Sequence, residues 1–277
     1  MPVSPKEWLG AGLGLRLPHI RHVIAHRPEV AWFEVHPENY LAGGANLAAL
    51  CAVREHYPIA FHGVNLGLGS PEPPAPEFLR QLKSLIRTIE PIVYSEHVAW
   101  NAMGGAYFND LLPLPLTDAA LARLCERIDA VQHELGRTLM IENVSSYVRF
   151  EADTWPEGDF LAELTRRTGC TLLLDVNNLL VTEHNIGRSP DATLAALTPE
   201  MIGEIHVAGY EAVESGLWVD THGTPVSDAC LDLLRRVLTQ FGPKPVLLER
   251  DTHLPAFDEL FADYQAIAQC CREVAHG

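Results

Sequence analysis

The chain has 277 residues, 47% of them hydrophobic and 20% charged, with a formal net charge of -16 at pH 7. This composition excludes a mainly disordered protein, and the excess of acid argues against a nucleic-acid backbone as substrate, because that polyanion requires a basic surface. No apolar run reaches the roughly 18 residues of a membrane helix, and residues 1–8 lack the apolar core of a signal peptide, so a cytoplasmic protein that does not enter a membrane is expected.

Periodicity places strands at residues 13–16, 31–36, 59–64, 92–98, 139–144, 171–176, 204–208 and 245–250, each followed by a helical segment. After the third strand, Phe78, Leu79, Leu82, Leu85, Ile86 and Ile89 recur at helical spacing and form one apolar stripe. Leu121, Leu124, Cys125, Ile128, Val131 and Leu135 do the same before Gly136, a helix stop, with Thr117 or Asp118 as N-cap. Ser227 caps the helix carrying Leu231, Leu233, Leu234 and Val237, and a last helix covers residues 256–273. The proline-rich segment 70–76 lies between a strand and its helix and reads as a stiff loop, not a linker, so residues 1–277 are expected to form a single domain. Strict strand-helix alternation implies a parallel sheet with right-handed crossovers, and eight such units close into a (β/α)8 TIM barrel of roughly 250 residues. An open, doubly wound sheet is the alternative. The cysteines at 51, 125, 170, 230, 270 and 271 form no Cys-x-x-Cys pair and read as free thiols.

Several strands end on a residue that can bind a cation, and strand ends are where this barrel displays its active site. His62 closes the third strand, His97 the fourth, Glu142 the fifth, Asp175 the sixth, His206 the seventh and Glu249 the eighth. Asp220 and His222 sit two apart in the loop that follows the seventh, a spacing that points both side chains one way in an extended segment. Imidazole with carboxylate suits zinc, iron or manganese. Taken singly, each has a structural reading: a buried histidine satisfied by hydrogen bonds, or a carboxylate capping the next helix. Their convergence on one rim is what favours metal. Glu34, His36, Glu38 and Asn39 crowd the end of the second strand, as groups supporting the centre, touching substrate or lying on a solvated rim. Asn65, Asn143, Asn177 and Asn178 are suitable hydrogen-bond donors around ligands, and an amide oxygen can ligate directly. Glu96 reads as structural, and His19, His22, His26, His56 and His133 as surface positions on helices. Gly12-Leu13-Gly14 lacks the third glycine of a dinucleotide fingerprint.

The strings Glu34-Val35-His36-Pro37-Glu38-Asn39-Tyr40, Phe61-His62-Gly63-Val64-Asn65-Leu66, Ser95-Glu96-His97, Ile141-Glu142-Asn143-Val144-Ser145, Leu174-Asp175-Val176-Asn177-Asn178, Glu204-Ile205-His206-Val207-Ala208-Gly209 and Asp220-Thr221-His222-Gly223 together resemble the family long known as domain of unknown function 692. The resemblance implies a xylose-isomerase-like barrel. It also implies an oxygen-dependent, multinuclear non-haem iron enzyme that modifies cysteines of a ribosomally made precursor peptide, helped by a small partner protein that presents the peptide. The implied cofactors are two or three iron ions, with zinc or manganese as alternatives, and dioxygen is the cosubstrate.

The ligand order is also similar to that of endonuclease IV. By that comparison His62, His97, Glu142, Asp175, His206, Asp220, His222 and Glu249 fall on metal positions, with Glu142 bridging two ions. Asn178 stands where the nuclease has a histidine, which implies weaker, more oxygen-rich ligation there. Ile186 stands where family members often carry a histidine, which brings in the neighbouring His184 as a candidate ligand. Glu34, His36 and Asn39 are then candidates for proton handling near the substrate. Rival readings on the same residues are a metal-dependent phosphodiesterase, a sugar isomerase or epimerase, and a non-catalytic metal store or peptide-binding module.

Overall fold

Short apolar runs that must be buried on both faces are satisfied by a sheet covered inside and out. In the computed structural model, which describes residues 10–276, this chain covers them by closing the sheet on itself. The stretch read above for a signal, residues 1–8, lies outside the described residues.

In chain order, β1 (Ala11–Gly14) leads to α1 (Ile20–His26), β2 (Phe33–Val35) to α2 (Gly44–Arg54), and β3 (Ile59–His62) to α3 (Pro76–Ile89). Strand β4 (Tyr94–His97) runs into a hairpin of β5 (Ala99–Met103) and β6 (Ala106–Pro113) before α4 (Asp118–Leu135). Next come β7 (Met140–Glu142), α5 (Glu157–Thr168), β8 (Thr171–Asp175), α6 (Val176–Ile186) and the short α7 (Pro190–Leu194). Strand β9 (Ile202–Val207) is followed by a small hairpin, β10 (Glu211–Ala212) with β11 (Trp218–Val219), and by α8 (Asp228–Phe241); β12 (Val246–Leu248) and α9 (Phe257–His276) complete the described chain. The barrel order is β1-β12-β9-β8-β7-β4-β3-β2, every pairing is parallel, and β2 pairs back onto β1, so the doubly wound alternative is excluded.

Every barrel strand overlaps its expected segment, but β1 begins and ends two residues early. Its glycines disguise it. A Cβ on Gly12 would lie 2.3 Å from Cε2 of Trp32, and that indole packs with Ala60 and Leu247 to fill the base of the barrel interior. The caps fall as read: Thr117 Oγ1 accepts from Ala120 N, Ser227 Oγ accepts from Cys230 N, and Gly136 ends α4 at φ 68°. Neither hairpin was foreseen. The first turns on Gly104 and Gly105, at φ 60° and 80°, the two-residue turn whose twist matches a hairpin. Its register slips between Ala102↔Tyr107 and Trp100↔Leu112, leaving residues 108–111 as a bulge. His19 is buried rather than exposed, its Nε2–H donating to the Pro255 carbonyl at 2.9 Å. All six cysteines are free. No helix among the described residues is long and apolar enough to cross a membrane.

Candidate metal centre

Alternation along a strand sends every second side chain inward, so β3, β4, β7 and β8 deliver His62, His97, Glu142 and Asp175 to the barrel axis at their last residue. His206 enters one residue before the end of β9, and Glu249 one residue beyond β12. Above them opens a cavity of about 470 Å³ whose floor is polar, with His62, His97, Glu142, Asn178, Asp220, His222 and Glu249, while Val64, Phe108, Leu111 and Val144 line its sides.

His62 Nε2 and His97 Nε2 lie 3.1 Å apart, and each stands beside Glu142 Oε2, at 3.1 and 3.0 Å. The far side of each ring fixes its proton. His97 Nδ1 lies 3.1 Å from the Gly63 carbonyl, which only accepts, so Nδ1 carries the hydrogen. The Ser95 hydroxyl donates to the Phe61 carbonyl and therefore accepts from His62 Nδ1 at 2.8 Å. Two Nε2 lone pairs and a carboxylate oxygen thus face one point. Donor atoms sharing an ion at about 2.0–2.2 Å are spaced at roughly 3.0–3.4 Å from one another, so these three atoms fit a divalent ion as they stand.

The remaining donors fit further ions. Asp175 uses Oδ1 to cap α6, accepting from Asn178 N at 2.6 Å, and its Oδ2 has no hydrogen-bond partner. Buried Asn178 gives its amide hydrogens to the Asn143 carbonyl and Glu142 Oε1, leaving its own Oδ1 unpartnered. Glu249 Oε1 is held by Arg16 at 2.8 Å, while Oε2 stands 3.0 Å from His206 Nδ1 and 3.4 Å from His222 Nδ1. His222, strained in the left-handed region at φ 49°, places Nε2 2.7 Å from Asp220 Oδ1. Groups with metal-binding spacing include His62–His206–Glu249 and Glu142–Asp175–His206 as well as the His62–His97–Glu142 triad.

Charge makes the same point. Glu34, Glu142, Asp175, Glu204, Asp220, Glu249 and Asp251 cluster here, and among the described residues Arg16 is the one guanidinium or ammonium paired with any of them. Burial, then the nearby Glu142 and Asp220, pushes Asp175 well above the usual carboxylate range. Burial and then Glu34 raise Glu204 to about 8. Against the cost of its own burial, Glu142 is held well below the usual range by His97 and His62, while His97 is raised to about 10, chiefly by Glu142. Cations would relieve all of these together.

Other residues named from the sequence fall in several places. His36 lines the cavity, donating Nδ1–H to the His62 carbonyl at 3.0 Å and turning Nε2 to Asp251 at 3.4 Å. Glu34 is fully buried beneath the floor, out of reach of a substrate. Asn39 is exposed on the turn after β2 and does not line the cavity. His184 is also outside: its ring stacks on Trp218 at 4.0 Å and its Nε2 bonds to the Gly216 carbonyl, so it clamps the β10–β11 hairpin. Asn143 ties β7 to β8 by exchanging hydrogen bonds with the Asp175 backbone, Asn177 donates to Asp220 Oδ1 at 2.8 Å, and Asn65 lies on the rim. Glu96 and Glu38 accept backbone hydrogens of the loop after β3.

Unforeseen were Asp251, which binds Arg16 Nε at 2.6 Å and His222 Nδ1 at 3.0 Å, and Glu204 below His206. Tyr147 was missed as well; its hydroxyl accepts from Asp220 N at the cavity wall. Glu204 stands two residues from His206 on the same face of β9, which was the available signal, whereas Asp251 lies beyond the end of β12.

Imidazoles and carboxylates gathered at the carboxyl ends of (β/α)8 strands, around donor sets that fit divalent ions, define a metal-dependent enzyme. Residues 10–272 match the family described as RiPP precursor modification enzyme MbnB/TglH/ChrH, and the chain belongs to it. Among its relatives, a UPF0276 protein of Caulobacter vibrioides is 46% identical over 275 residues, covering 96% of this chain and 98% of the relative. A UPF0276 protein of Chromobacterium violaceum is 47% identical over 252 residues, covering 91% of each. Solved structures of the same fold include endonuclease IV from Thermus thermophilus, with TM-score 0.61, 16% identity and coverage of 95% of this chain and 99% of that one. Another is D-psicose 3-epimerase from Clostridium cellulolyticum, with TM-score 0.63, 9% identity and coverage of 96% and 99%. At these identities the two share the fold and nothing more is carried over.

Proposed function

We propose that the chain is a multinuclear non-haem iron enzyme that oxidatively modifies cysteine residues of a ribosomally made precursor peptide, with dioxygen as cosubstrate and a small partner protein presenting the peptide. The observation that carries this reading is the His62–His97–Glu142 triad, with its lone pairs directed at one point beneath a cavity wide enough for a peptide segment. Family membership supports a peptide as substrate. The net charge of -16 favours a neutral or basic peptide over a phosphodiester.

His62, His97 and Glu142 would hold one ion, with Glu142, Asp175, His206 and Glu249 holding a second and Asp220, His222 and Asn178 a third. Bound iron would supply thiolate binding and electron transfer to dioxygen. The chain's own residues supply the surroundings. Val64, Phe108, Leu111 and Val144 give the space above the floor apolar walls. His36 stands in the cavity wall with a proton on Nδ1 and Asp251 beside Nε2, positioned to take the proton released as a thiol becomes a thiolate. Tyr147, at the cavity wall, accepts from Asp220 N and from the Ser145 hydroxyl at 3.2 Å.

Anaerobic purification followed by elemental analysis, Mössbauer spectroscopy and oxygen uptake with cysteine-bearing precursor peptides tests the reading. Two or three irons with peptide-dependent oxygen consumption are expected. Zinc with phosphodiesterase activity would overturn it.

A further inference from the structure

Closing the barrel leaves its eight strands without an edge, so among the described residues the free sheet edges belong to the two hairpins on its carboxyl rim. The β10–β11 hairpin offers two residues per strand. Strand β6 has eight, more than any other described strand, and its first five, residues 106–110, are exposed. Apolar side chains stand out on this arm: Tyr107 is 70% exposed, Met103 54% and Phe108 41%, with the Phe108 ring set edge-on to Trp100 at 5.5 Å. Folded proteins ordinarily blunt an open edge with charge, proline or a covering element. A long edge left apolar and bare marks a binding surface.

The register says which main-chain groups are free. Gly104 and Gly105 make a two-residue turn, so Met103 and Ala106 beside it form the hydrogen-bonded pair, and Ala102 and Tyr107 form the next, non-bonded one. The N–H and C=O of Tyr107 therefore point away from β5, and no main-chain group among the described residues bonds to them. Past Tyr107 the bulge begins, and its residues Phe108, Asn109, Asp110 and Leu111 line the cavity over the metal centre. One strand thus runs from an open edge outside the cavity to the wall inside it.

We propose that the outer edge of β6 is the docking strand for the precursor peptide: residues flanking the target cysteine add to the hairpin as a third strand, bonded to Tyr107, and the bulge leads the cysteine over the rim. This inference rests on the peptide reading proposed above. A cavity of about 470 Å³ holds a short piece of polypeptide, so the flanks of the cysteine have to lie on the surface at its mouth. Pairing through main-chain groups recognises an extended chain of any sequence, while Tyr107 and Phe108 supply apolar contact to its side chains. Charge argues against a second copy as the occupant, since each copy carries -16, whereas a neutral or basic peptide is not repelled.

The test uses the full, zinc-loaded chain. Cysteine-centred peptides of neutral or basic composition, otherwise randomised, are selected on the immobilised wild type, and the best binder is resynthesised with a single N-methyl group moved along its main chain. Affinity is expected to drop about 3- to 10-fold at the residue paired with Tyr107, on one side of the cysteine, and to be unchanged at the residues next to it. Tyr107→Pro removes the outward N–H but no hairpin hydrogen bond. It is expected to weaken the same peptide about 3- to 10-fold, with metal stoichiometry as in the wild type. Where the proline variant fails to fold, the N-methyl profile decides alone. A flat profile would overturn the proposal, as would selection that returns no binder. So would self-association of the wild type that Tyr107→Pro abolishes in sedimentation, because the edge would then serve a second copy. A peptide that shows the expected profile but supports no oxygen uptake by the iron-loaded chain defeats the proposed function and leaves this inference standing. A peptide with a flat profile that Tyr107→Pro oxidises at the wild-type rate does the reverse.

Discussion

His62 and His97 turn their Nε2 atoms to each other at 3.1 Å, across the same oxygen of Glu142, with their Nδ1 hydrogens engaged elsewhere. Two lone pairs at that distance repel unless a proton or a cation lies between them. The rings cannot turn away without breaking the Nδ1 hydrogen bonds to Ser95 and Gly63, so the site is built around positive charge.

Glu142→Ala is therefore expected to lower bound metal by at least one equivalent, measured by elemental analysis of protein shown to be folded by circular dichroism. Unchanged stoichiometry would remove Glu142 from the bridging position.

In the metal-free chain the same group produces a pH dependence. Burial by itself would depress His97, but Glu142 raises it from 6.5 to about 10, and His206 and His222 are also held well above the ordinary value. A histidine raised on folding adds stability that is complete below its unfolded value and is lost as pH climbs through its folded one. The melting temperature of chelator-treated protein should fall between about pH 6.5 and 10, and His97→Gln should make that fall shallower. A melting temperature that rises over this range would contradict the assignment.

Arg16 offers a separate measurement. It is nearly buried between Glu249 and Asp251, and removing one partner of a buried ion pair leaves the other uncompensated. Arg16→Met is expected to destabilise the metal-free chain by about 3 kcal/mol in urea unfolding. Added zinc should recover part of that loss, because ions at Glu249 replace the missing charge. A variant as stable as the wild type without metal would show that the pairing contributes little.

For His184, replacement by alanine should leave metal stoichiometry unchanged and cost about 1 kcal/mol through the lost stack on Trp218. Loss of an equivalent would return His184 to the ligand set.

Much of this was legible in the chain itself. Apolar runs ending on His62, His97, Glu142 and Asp175 locate both the strands and the rim, because one physical rule governs both. Reading only the last residue of each strand concealed the rest. Glu204 precedes His206 by two on β9, so alternation alone would have named it; Asp251 lies past the end of β12, where alternation gives no signal. The Gly104-Gly105 turn was likewise available as a hairpin signal. Other features were not available in one dimension. That His206 stands between Glu34 and Glu249 depends on segments far apart in the chain. That His184 stacks outside the centre depends on Trp218, far along the chain. Asn39 shares a short segment with His36 but ends on the outside of its turn.

Trp32 packs its indole against Gly12 with Ala60 and Leu247, and the cavity lined by His62, His97 and Glu142 opens at the carboxyl ends of the strands. If the proposed function holds, metal and peptide would both enter by way of that cavity. A shared route of that kind would impose a schedule: ions would have to arrive before a peptide that covers the donors at the cavity floor. Preincubation with metal and preincubation with peptide should consequently give different lag times.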